Sequence, residues 1–188
     1  MGMGEPFLNY KNSIAAADLL HHPSGINMAA WRVTISTAGV AHKIKQFSDE
    51  RHPYKLAVSL NGSTQNQRLK TMPITKTHSF SDLIKTSKDY AYHSRNRVTF
   101  EYVLLDGVND DPQDAEKLNR LLNSIDCKLN VIPYNEIGGA YRRPSDIRIK
   151  TFLHPLKKAS FPVTVRWSKG QDIDAGCGQL ATHLEQIE

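Results

Sequence analysis

The feature that most constrains the fold of this chain is a pair of almost continuously apolar runs, at residues 54–60 and 98–105. Neither run shows the strict apolar–polar alternation of a strand with one solvated face. Such runs are typical of parallel strands that are buried between other layers. Parallel strands need a crossover between them, and the acidic, leucine-rich segment 111–123 has the spacing of an amphipathic helix. The pattern therefore predicts a parallel sheet covered by helices.

The same two kinds of segment alternate along the whole chain. Further helices are predicted at 12–20, 40–48, 79–95 and 145–159, and further strands at 31–36, 128–133 and 162–166. This order places the chain in the α/β class, as one domain that spans residues 1–188. Residues 2–6 have the composition of a loop that follows a strand. We therefore expect the first strand to be missing and the sequence to be the C-terminal part of a longer protein.

Composition indicates the cellular location and the kinds of partner to expect for the protein. Hydrophobic residues make up 39% of the 188 residues, and no apolar run reaches the roughly 18 residues of a membrane span. The first residues lack the features of a signal peptide, and two cysteines do not form a disulfide framework. We therefore expect a cytoplasmic monomer without a membrane partner. The formal net charge of +5 is compatible with a polyanionic partner and with an ordinary basic surface.

Polar residues follow four of the predicted strands at their carboxyl ends. They lie at 36–37, 59–61, 106–109 and 134–135. In α/β sheets and barrels this edge binds ligands. Any one of these residues could instead cap the helix that follows it, but their recurrence at four strands favours a site.

Cys177 lies between Gly176 and Gly178, in the C-terminal segment. Flanking glycines let the backbone turn sharply and let another molecule approach the sulfur. A cysteine of the core more often has branched apolar neighbours, so this context favours a reactive thiol, although most free cysteines are inert. Cys127, by contrast, is expected to pack against the sheet.

Motifs that occur in a fixed order resemble those of a known enzyme family. They are GMGEP at 2–6, TIST at 34–37, LAVSL at 56–60, FEYVLLDGVND at 100–110, VIPYN at 131–135 and DIDAGCGQL at 172–180. Together they resemble the radical-SAM methyltransferases that modify adenine C2 in 23S ribosomal RNA and in certain transfer RNAs. The resemblance implies a partial (β/α) barrel of the radical-SAM type with outer helices, in which the first strand and the cluster loop are missing.

The resemblance also implies a binding site for S-adenosylmethionine. The family's residues for this cofactor fall on Gly4, Glu5, Ser36, Ser59, Leu60, Asn61 and Asn135. Glu5 would hold the ammonium group, Gly4 would let the backbone approach the methionine end, and the small polar groups would bond ribose, adenine and carboxylate. Taken alone, Glu5 is also compatible with an acidic residue in the first turn of a helix.

Cys177 falls on the catalytic cysteine that the family methylates on sulfur. In the family, a 5′-deoxyadenosyl radical then removes a hydrogen from that methyl group, and the carbon radical adds to adenine C2. A second cysteine resolves the covalent protein–RNA adduct. Because C2 is electron-poor, delivery of a tethered carbon radical avoids an electrophilic methylation that would fail there.

Basic residues near the predicted ligand edge are candidates for RNA contacts. They are Arg142, Arg143, Arg166 and Lys169. These residues are interleaved with Tyr141 and Trp167, which have the chemistry to stack on unpaired bases. Each of them singly is equally compatible with ordinary surface charge.

The chain also departs from the family pattern. The Cys-x3-Cys-x2-Cys motif that holds the family's [4Fe–4S] cluster is absent, and the two cysteines lie fifty positions apart. We therefore expect the cluster, the resolving cysteine and the acidic general base in a preceding region, and no metal ligand in this chain. Asn61 replaces a histidine of the family, Gly176 an alanine and Trp167 an arginine.

The favoured hypothesis is the C-terminal part of an adenine-C2 methyltransferase that acts on ribosomal RNA, with transfer RNA as a further substrate. The alternatives are a non-catalytic descendant that binds RNA or S-adenosylmethionine, and the related branch that methylates adenine C8. A third alternative is an unrelated phosphate-binding α/β enzyme with Cys177 as its nucleophile. It is disfavoured because no glycine-rich loop follows a strand with the required spacing.

Overall fold

A computed structural model describes residues 4–94, 96–136 and 139–167. Its strands are β1 (Thr34–Thr37), β2 (Lys55–Ser59), β3 (Val98–Leu104), β4 (Cys127–Pro133) and β5 (Val163–Val165). Its helices are α1 (Tyr10–His21), α2 (Ala41–Asp49), α3 (Gln65–Thr71), α4 (Phe80–Ser94), α5 (Pro112–Leu122) and α6 (Asp146–Leu156). Short 3-10 turns lie at Pro6–Asn9, Ala30–Arg32 and Pro73–Lys76. Within the described ranges, no helix has the length and apolar character needed to span a bilayer.

The strands are parallel and lie in the order β1-β2-β3-β4-β5. Because parallel neighbours cannot be joined by a tight turn, at least one helix follows each of β1 to β4 before the next strand begins. The register places Ser36 beside Ala57, and Glu101 between Ser59 and Asn130. A sequential order of parallel strands is that of a (β/α) barrel, so the predicted α/β class with a partial barrel is confirmed.

The helices pack on one face of the sheet, here called the outer face. Alternate residues of the central strands, such as Val58 and Phe100, are buried there in one continuous hydrophobic core. The helices complete this core with Ile44, Leu83, Leu118 and Phe152. Burial of a side chain of this size contributes roughly 1.5–3 kcal/mol, so the outer face provides most of the stability of the sheet.

The opposite face, here called the inner face, is polar. Ser36, Thr99, Glu101 and Asn130 line an open cleft on it. The prediction that helices would cover the sheet was therefore wrong for this face. The apolar runs misled the prediction because Ala57 and Val103 interrupt the polar positions of the inner face.

Side-chain caps begin several of the helices. Thr64 accepts a hydrogen bond from Gln67 N at the start of α3, Asp111 from Gln113 N at the start of α5, and Ser145 from Arg148 N at the start of α6. Such a cap is worth about 1 kcal/mol. Helix α3 was not predicted, because residues 65–71 are almost all polar and lack an apolar stripe. Its cap, Thr64, was the available signal.

The predicted strand at 31–36 begins later than expected. β1 starts at Thr34, whereas Trp31 lies in a 3-10 turn and is 61% exposed. The Arg32 guanidinium carbon and the Lys55 Nζ lie 5.0 and 5.6 Å from the centroid of its ring. These cation–π contacts hold the aromatic ring at the surface, although its residue type favours a strand.

Cys127 begins β4 and is buried in the core, as the sequence predicted. Burial raises the pKa of its thiol to about 12, which keeps the sulfur protonated at neutral pH. Because the thiolate is the reactive form, Cys127 is an inert packing residue.

Candidate functional site

The carboxyl ends of the strands meet at one edge of the sheet, here called the carboxyl edge. Ser36 lies one residue before the end of β1, Ser59 ends β2, and Asn135 follows β4 by two residues. The loop with Gly4 and Glu5 joins the same edge, through hydrogen bonds from the end of β1 to Glu5. The structure thus places the residues predicted to bind S-adenosylmethionine along one edge, which is where α/β proteins bind ligands.

Glu5 is fixed by three hydrogen bonds. Its Oε1 accepts from Phe7 N at 3.0 Å and from the Thr37 hydroxyl at 2.7 Å, and its Oε2 accepts from Ala38 N at 2.5 Å. An ionised carboxylate has roughly four acceptor positions. Among the described contacts, one position on Oε2 therefore remains for a further donor. Glu5 both caps the first turn and presents an oriented carboxylate at the edge.

The peptide group of Ala38 lies between two charged side chains. Its N–H donates to Glu5, and its carbonyl accepts from Nη2 of Arg68. Nη1 of Arg68 donates to the Thr75 hydroxyl at 2.6 Å, and Nη2 also donates to the Ser59 carbonyl at 3.3 Å. Arg68 thereby connects the ends of β1 and β2, and the Ala38 peptide is polarised between a carboxylate and a guanidinium.

Arg68 is fully buried, and its Nε has no hydrogen-bond partner within the described part of the chain. Burial lowers the pKa of its guanidinium to about 10, which leaves the group charged at neutral pH. Gly39 has a φ of +107°, and a Cβ there would lie 2.9 Å from Nη2, so the approach of Arg68 requires glycine. A buried cation behind the carboxyl edge favours an anionic ligand group at that edge.

Sequence reasoning missed Arg68 as a site residue. Its helix was not predicted, so no argument placed the side chain inside the protein. The available signal was a pair of glycines, Gly39 and Gly62, since a Cβ at either position would lie within 3.0 Å of Arg68. Glycines that follow predicted strands often mark a close approach of another group.

Leu60 and Asn61 follow β2, but their side chains do not form a ligand surface. Leu60 is buried in the core, so only its backbone is available at the edge. Asn61 adopts a left-handed φ of 50°. Its Oδ1 accepts from Val103 N at 2.8 Å, and its Nδ2 lies 3.2 Å from the sulfur of Met72. The side chain of Asn61 therefore joins β3 to the loop after β2.

Asn135 is buried beside a cavity of about 480 Å³ between the end of β4 and the start of α6. Arg143 and Asp146 also line this cavity, and their ion pair measures 3.1 Å. Arg142, in the same loop, donates from Nη1 to the Gly139 carbonyl at 2.7 Å. Two of the residues predicted to bind RNA thus lie at the carboxyl edge.

Arg166 lies apart from those two arginines. It follows β5, donates from its backbone N to the Val131 carbonyl at 2.8 Å, and directs its side chain to the inner face. There Nη1 lies 3.8 Å from Glu101 Oε1. Lys169 and the catalytic candidate Cys177 lie outside the described residues.

Glu101 was not singled out by sequence reasoning. Its side chain is 9% exposed, and its Oε2 has no hydrogen-bond partner within the described ranges. Burial raises the pKa of this carboxyl, and the positive charges of Arg166 and Lys128 oppose that shift. A glutamate inside the apolar run 98–105 was the available signal, because a buried carboxylate is costly unless it has a partner.

No family model matches the chain. Curated relatives do match. Over 182 residues the chain is 42% identical to a protein of Leptospira interrogans (serovar copenhageni) named "Probable dual-specificity RNA methyltransferase RlmN", covering 97% of this chain and 52% of the relative. Over 184 residues it is 40% identical to the "Ribosomal RNA large subunit methyltransferase N" of Nitrosopumilus maritimus, covering 98% and 52%. The chain therefore spans about half the length of the curated relatives it matches.

A solved structure is similar over the same extent. The chain resembles the crystal structure of a radical SAM methyltransferase from Sphaerobacter thermophilus, with a TM-score of 0.91 and 42% sequence identity. The match covers 95% of this chain and 53% of that one. At this similarity the two chains share the fold of the matched region.

Proposed function

We propose that the chain belongs to the family of the RlmN RNA methyltransferases and radical SAM methyltransferases that it resembles, and that it serves the methylation of adenine C2 in ribosomal RNA. The observation that carries the proposal is the convergence of Glu5, Ser59 and Asn135 on one sheet edge, in a sequence aligned with these relatives over 97% of its length. Transfer RNA is the second substrate class that we propose.

The groups at the carboxyl edge suit S-adenosylmethionine. Glu5 retains an acceptor position for the ammonium group, and the buried charge of Arg68 favours the carboxylate of the same methionine end. The small polar side chains of Ser36, Ser59 and Asn135 suit ribose and adenine. When bound, the cofactor supplies the methyl group. Leu60 and Asn61 support this site through the backbone and through the link to β3.

Cys177 is the residue that we propose as the methyl acceptor. It follows β5 by twelve positions along the chain and has glycine on both sides. Its sulfur must lose a proton to react, because the thiolate is the nucleophilic form. Once methylated, the tethered sulfur would hold the carbon close to the target adenine, and such positioning lowers the barrier of the following step.

The residues of this chain do not fit an iron–sulfur cluster. The sequence has two cysteines, and Cys127 is buried with a protonated thiol. No group of three or more potential metal ligands occurs within the described ranges. A [4Fe–4S] cluster takes several cysteine thiolates, so we assign no step through a cluster to residues of this chain.

The proposal is tested on the full-length protein with a fragment of ribosomal RNA that contains candidate adenines. We expect methylation at C2, and we expect mass spectrometry of the peptide that contains residue 177 to find a methyl group on Cys177. Cys177→Ala should abolish RNA methylation, whereas the matched control Cys127→Ala should retain it. The control removes the other thiol of the chain without touching the proposed acceptor.

The outcomes separate the alternatives. Retained C2 methylation by Cys177→Ala would contradict the role of Cys177. A product methylated at C8 would assign the protein to the related branch. RNA binding without any methylation by the wild-type protein would identify a non-catalytic descendant.

A further inference from the structure

We propose that the inner face contains a second RNA-binding site, a cationic cleft that holds phosphate groups of a single-stranded segment. The cleft, of about 580 Å³, carries four cations on its lining: Lys55, Arg97, Lys128 and Arg166. Sequence reasoning singled out Arg166 alone among these cations. The choice of RNA as the polyanion rests on the proposed function, but the site is distinct from the carboxyl edge at which the cofactor is proposed to bind.

Three of the four cations lie near the amino ends of neighbouring strands. Lys55 is the first residue of β2, Arg97 immediately precedes β3, and Lys128 is the second residue of β4. Lys55 and Arg97 lie level with each other on neighbouring strands, and Lys128 lies opposite Thr99, two residues further along the sheet, so the three cations cluster toward the amino ends of the strands. Lys55 lies about 13 Å from Ser59, since four strand positions separate the two residues.

The cations of the cleft are only partly paired with carboxylates. Arg97 pairs with Asp126 at 2.9 Å, and Arg166 lies 3.8 Å from Glu101. Lys55 and Lys128 form no ion pair within 4.0 Å in the described ranges, although the positive charge of Lys128 acts on the carboxyl of Glu101, so both ammonium groups remain available to an anionic ligand. Glu101 lies on the floor of the cleft and is buried, so its carboxyl is less accessible to a ligand than the cations that line the cleft. Cations therefore dominate the accessible wall of the cleft.

An exposed aromatic residue, Trp31, lies beside the cleft. Trp31 is among the most exposed large hydrophobic residues in the described structure, and Lys55 Nζ lies 5.6 Å from its ring centroid. An exposed aromatic surface next to lysines is the combination that binds single-stranded RNA, because bases stack on the ring while cations contact phosphates. Inorganic phosphate or an acidic peptide would use the lysines but would not need the tryptophan.

The test measures binding of a fluorescent single-stranded RNA oligonucleotide to the full-length protein at several salt concentrations. The double variant Lys55→Gln/Lys128→Gln should lower the slope of log K against log salt by about 1.4, since each phosphate contact on a single strand contributes about 0.7. Trp31→Ala should weaken binding about tenfold through loss of stacking. In methylation assays the double variant should raise KM for RNA and leave kcat unchanged, because neither lysine lies at the carboxyl edge.

The matched control is Lys85→Gln/Lys150→Gln, which removes two exposed lysines from α4 and α6, on the helical side of the sheet. An unchanged slope in the cleft variant, or an equal fall in the control, would overturn the second site and leave the proposed function standing. Poly-glutamate that competes with RNA, and that binds Trp31→Ala as tightly as the wild type, would also overturn the second RNA site. That result would favour an acidic protein partner. Failure of the wild-type protein to bind any RNA would overturn both proposals.

Discussion

The outer and inner faces of the sheet are built from alternate residues of the same strands, yet they carry different kinds of side chain. On β3, Phe100 is buried against the helices, whereas Glu101 lies on the inner face with an unpartnered carboxylate oxygen. Apolar burial stabilises the fold, and a buried charge without a full set of partners costs stability. Costly polar groups of this kind concentrate at binding sites. The comparison places the stabilising apolar contacts on the outer face and the proposed binding sites on the inner face and the carboxyl edge.

The largest effect should separate two neighbours on β3. Phe100→Ala removes a fully buried ring from the outer face and should lower the free energy of unfolding by about 3–5 kcal/mol. Thr99→Ala, on the inner face, should cost less than about 1 kcal/mol, the span of strand propensities. Urea unfolding of both variants measures the difference. Equal losses of stability in the two variants would contradict the conclusion that the outer face provides most of the stability.

A smaller effect should appear at the end of β1. Thr37 is buried, and its hydroxyl donates to Glu5 at 2.7 Å and accepts from Gly39 N at 3.0 Å. Thr37→Val keeps the shape but removes both bonds, so it should cost about 1.5–3 kcal/mol, as expected for a hydrogen bond to a charged group. It should also weaken binding of S-adenosylmethionine, because Glu5 loses one of its anchors. Thr34→Val, at the exposed start of the same strand, is the control and should change stability by less than about 0.5 kcal/mol. A cofactor affinity unaffected by Thr37→Val would show that Glu5 needs no such orientation.

The smallest effect compares two carboxyls through the pH dependence of stability. Burial raises the pKa of Glu101 above its ordinary 4.5, so its stabilising contribution is full below that value and is lost as pH rises through the raised pKa. Hydrogen bonds, first from Tyr10 and then from Gln46, lower the pKa of Glu50 to about 2. The contribution of Glu50 is therefore present above pH 4.5 and is lost as pH falls toward about 2.

The free energy of unfolding, measured between pH 3 and 8, should therefore change at opposite ends of the pH range in two similar variants. Glu101→Gln should flatten the decline of stability on the neutral side, and Glu50→Gln should flatten the decline on the acidic side. Glu50 is substantially exposed, so its effect will be reduced by solvent screening. Matching pH profiles for the two variants would contradict the assigned environments.

Much of the fold could be predicted from sequence because its signals are local. The apolar run at 98–105 became β3 (Val98–Leu104), and the capped, leucine-rich segment at 111–123 became α5 (Pro112–Leu122). The sequence predicts a strand from Trp31 onward, but Trp31 lies in a 3-10 turn, where its ring contacts the adjacent Arg32 and the more distant Lys55. Strand propensity carries no information about a partner such as Lys55, which is distant in sequence.

The candidate site shows the same limit. The positions of Ser36, Ser59 and Asn135 at or just beyond the carboxyl ends of predicted strands were sufficient to expect them at one edge, because parallel strands share a carboxyl end. Gly39 and Gly62 could signal a close approach of another group, but the sequence could not identify that group as Arg68. Its guanidinium contacts residues 38, 59 and 75, and only folding brings those three segments together.

By itself, the amino-acid sequence determined the α/β class, the succession of strands and helices along the chain, and the chemical groups available at the carboxyl ends of the strands. Those properties follow from periodicity, caps and the direction of the chain, which are local. The tertiary structure alone decided which face of the sheet stays open, that Arg68 is buried behind the carboxyl edge, and that lysines from separate strands share one cleft. Burial and charge compensation depend on neighbours distant in sequence, so they become defined when the sheet and its helices pack together.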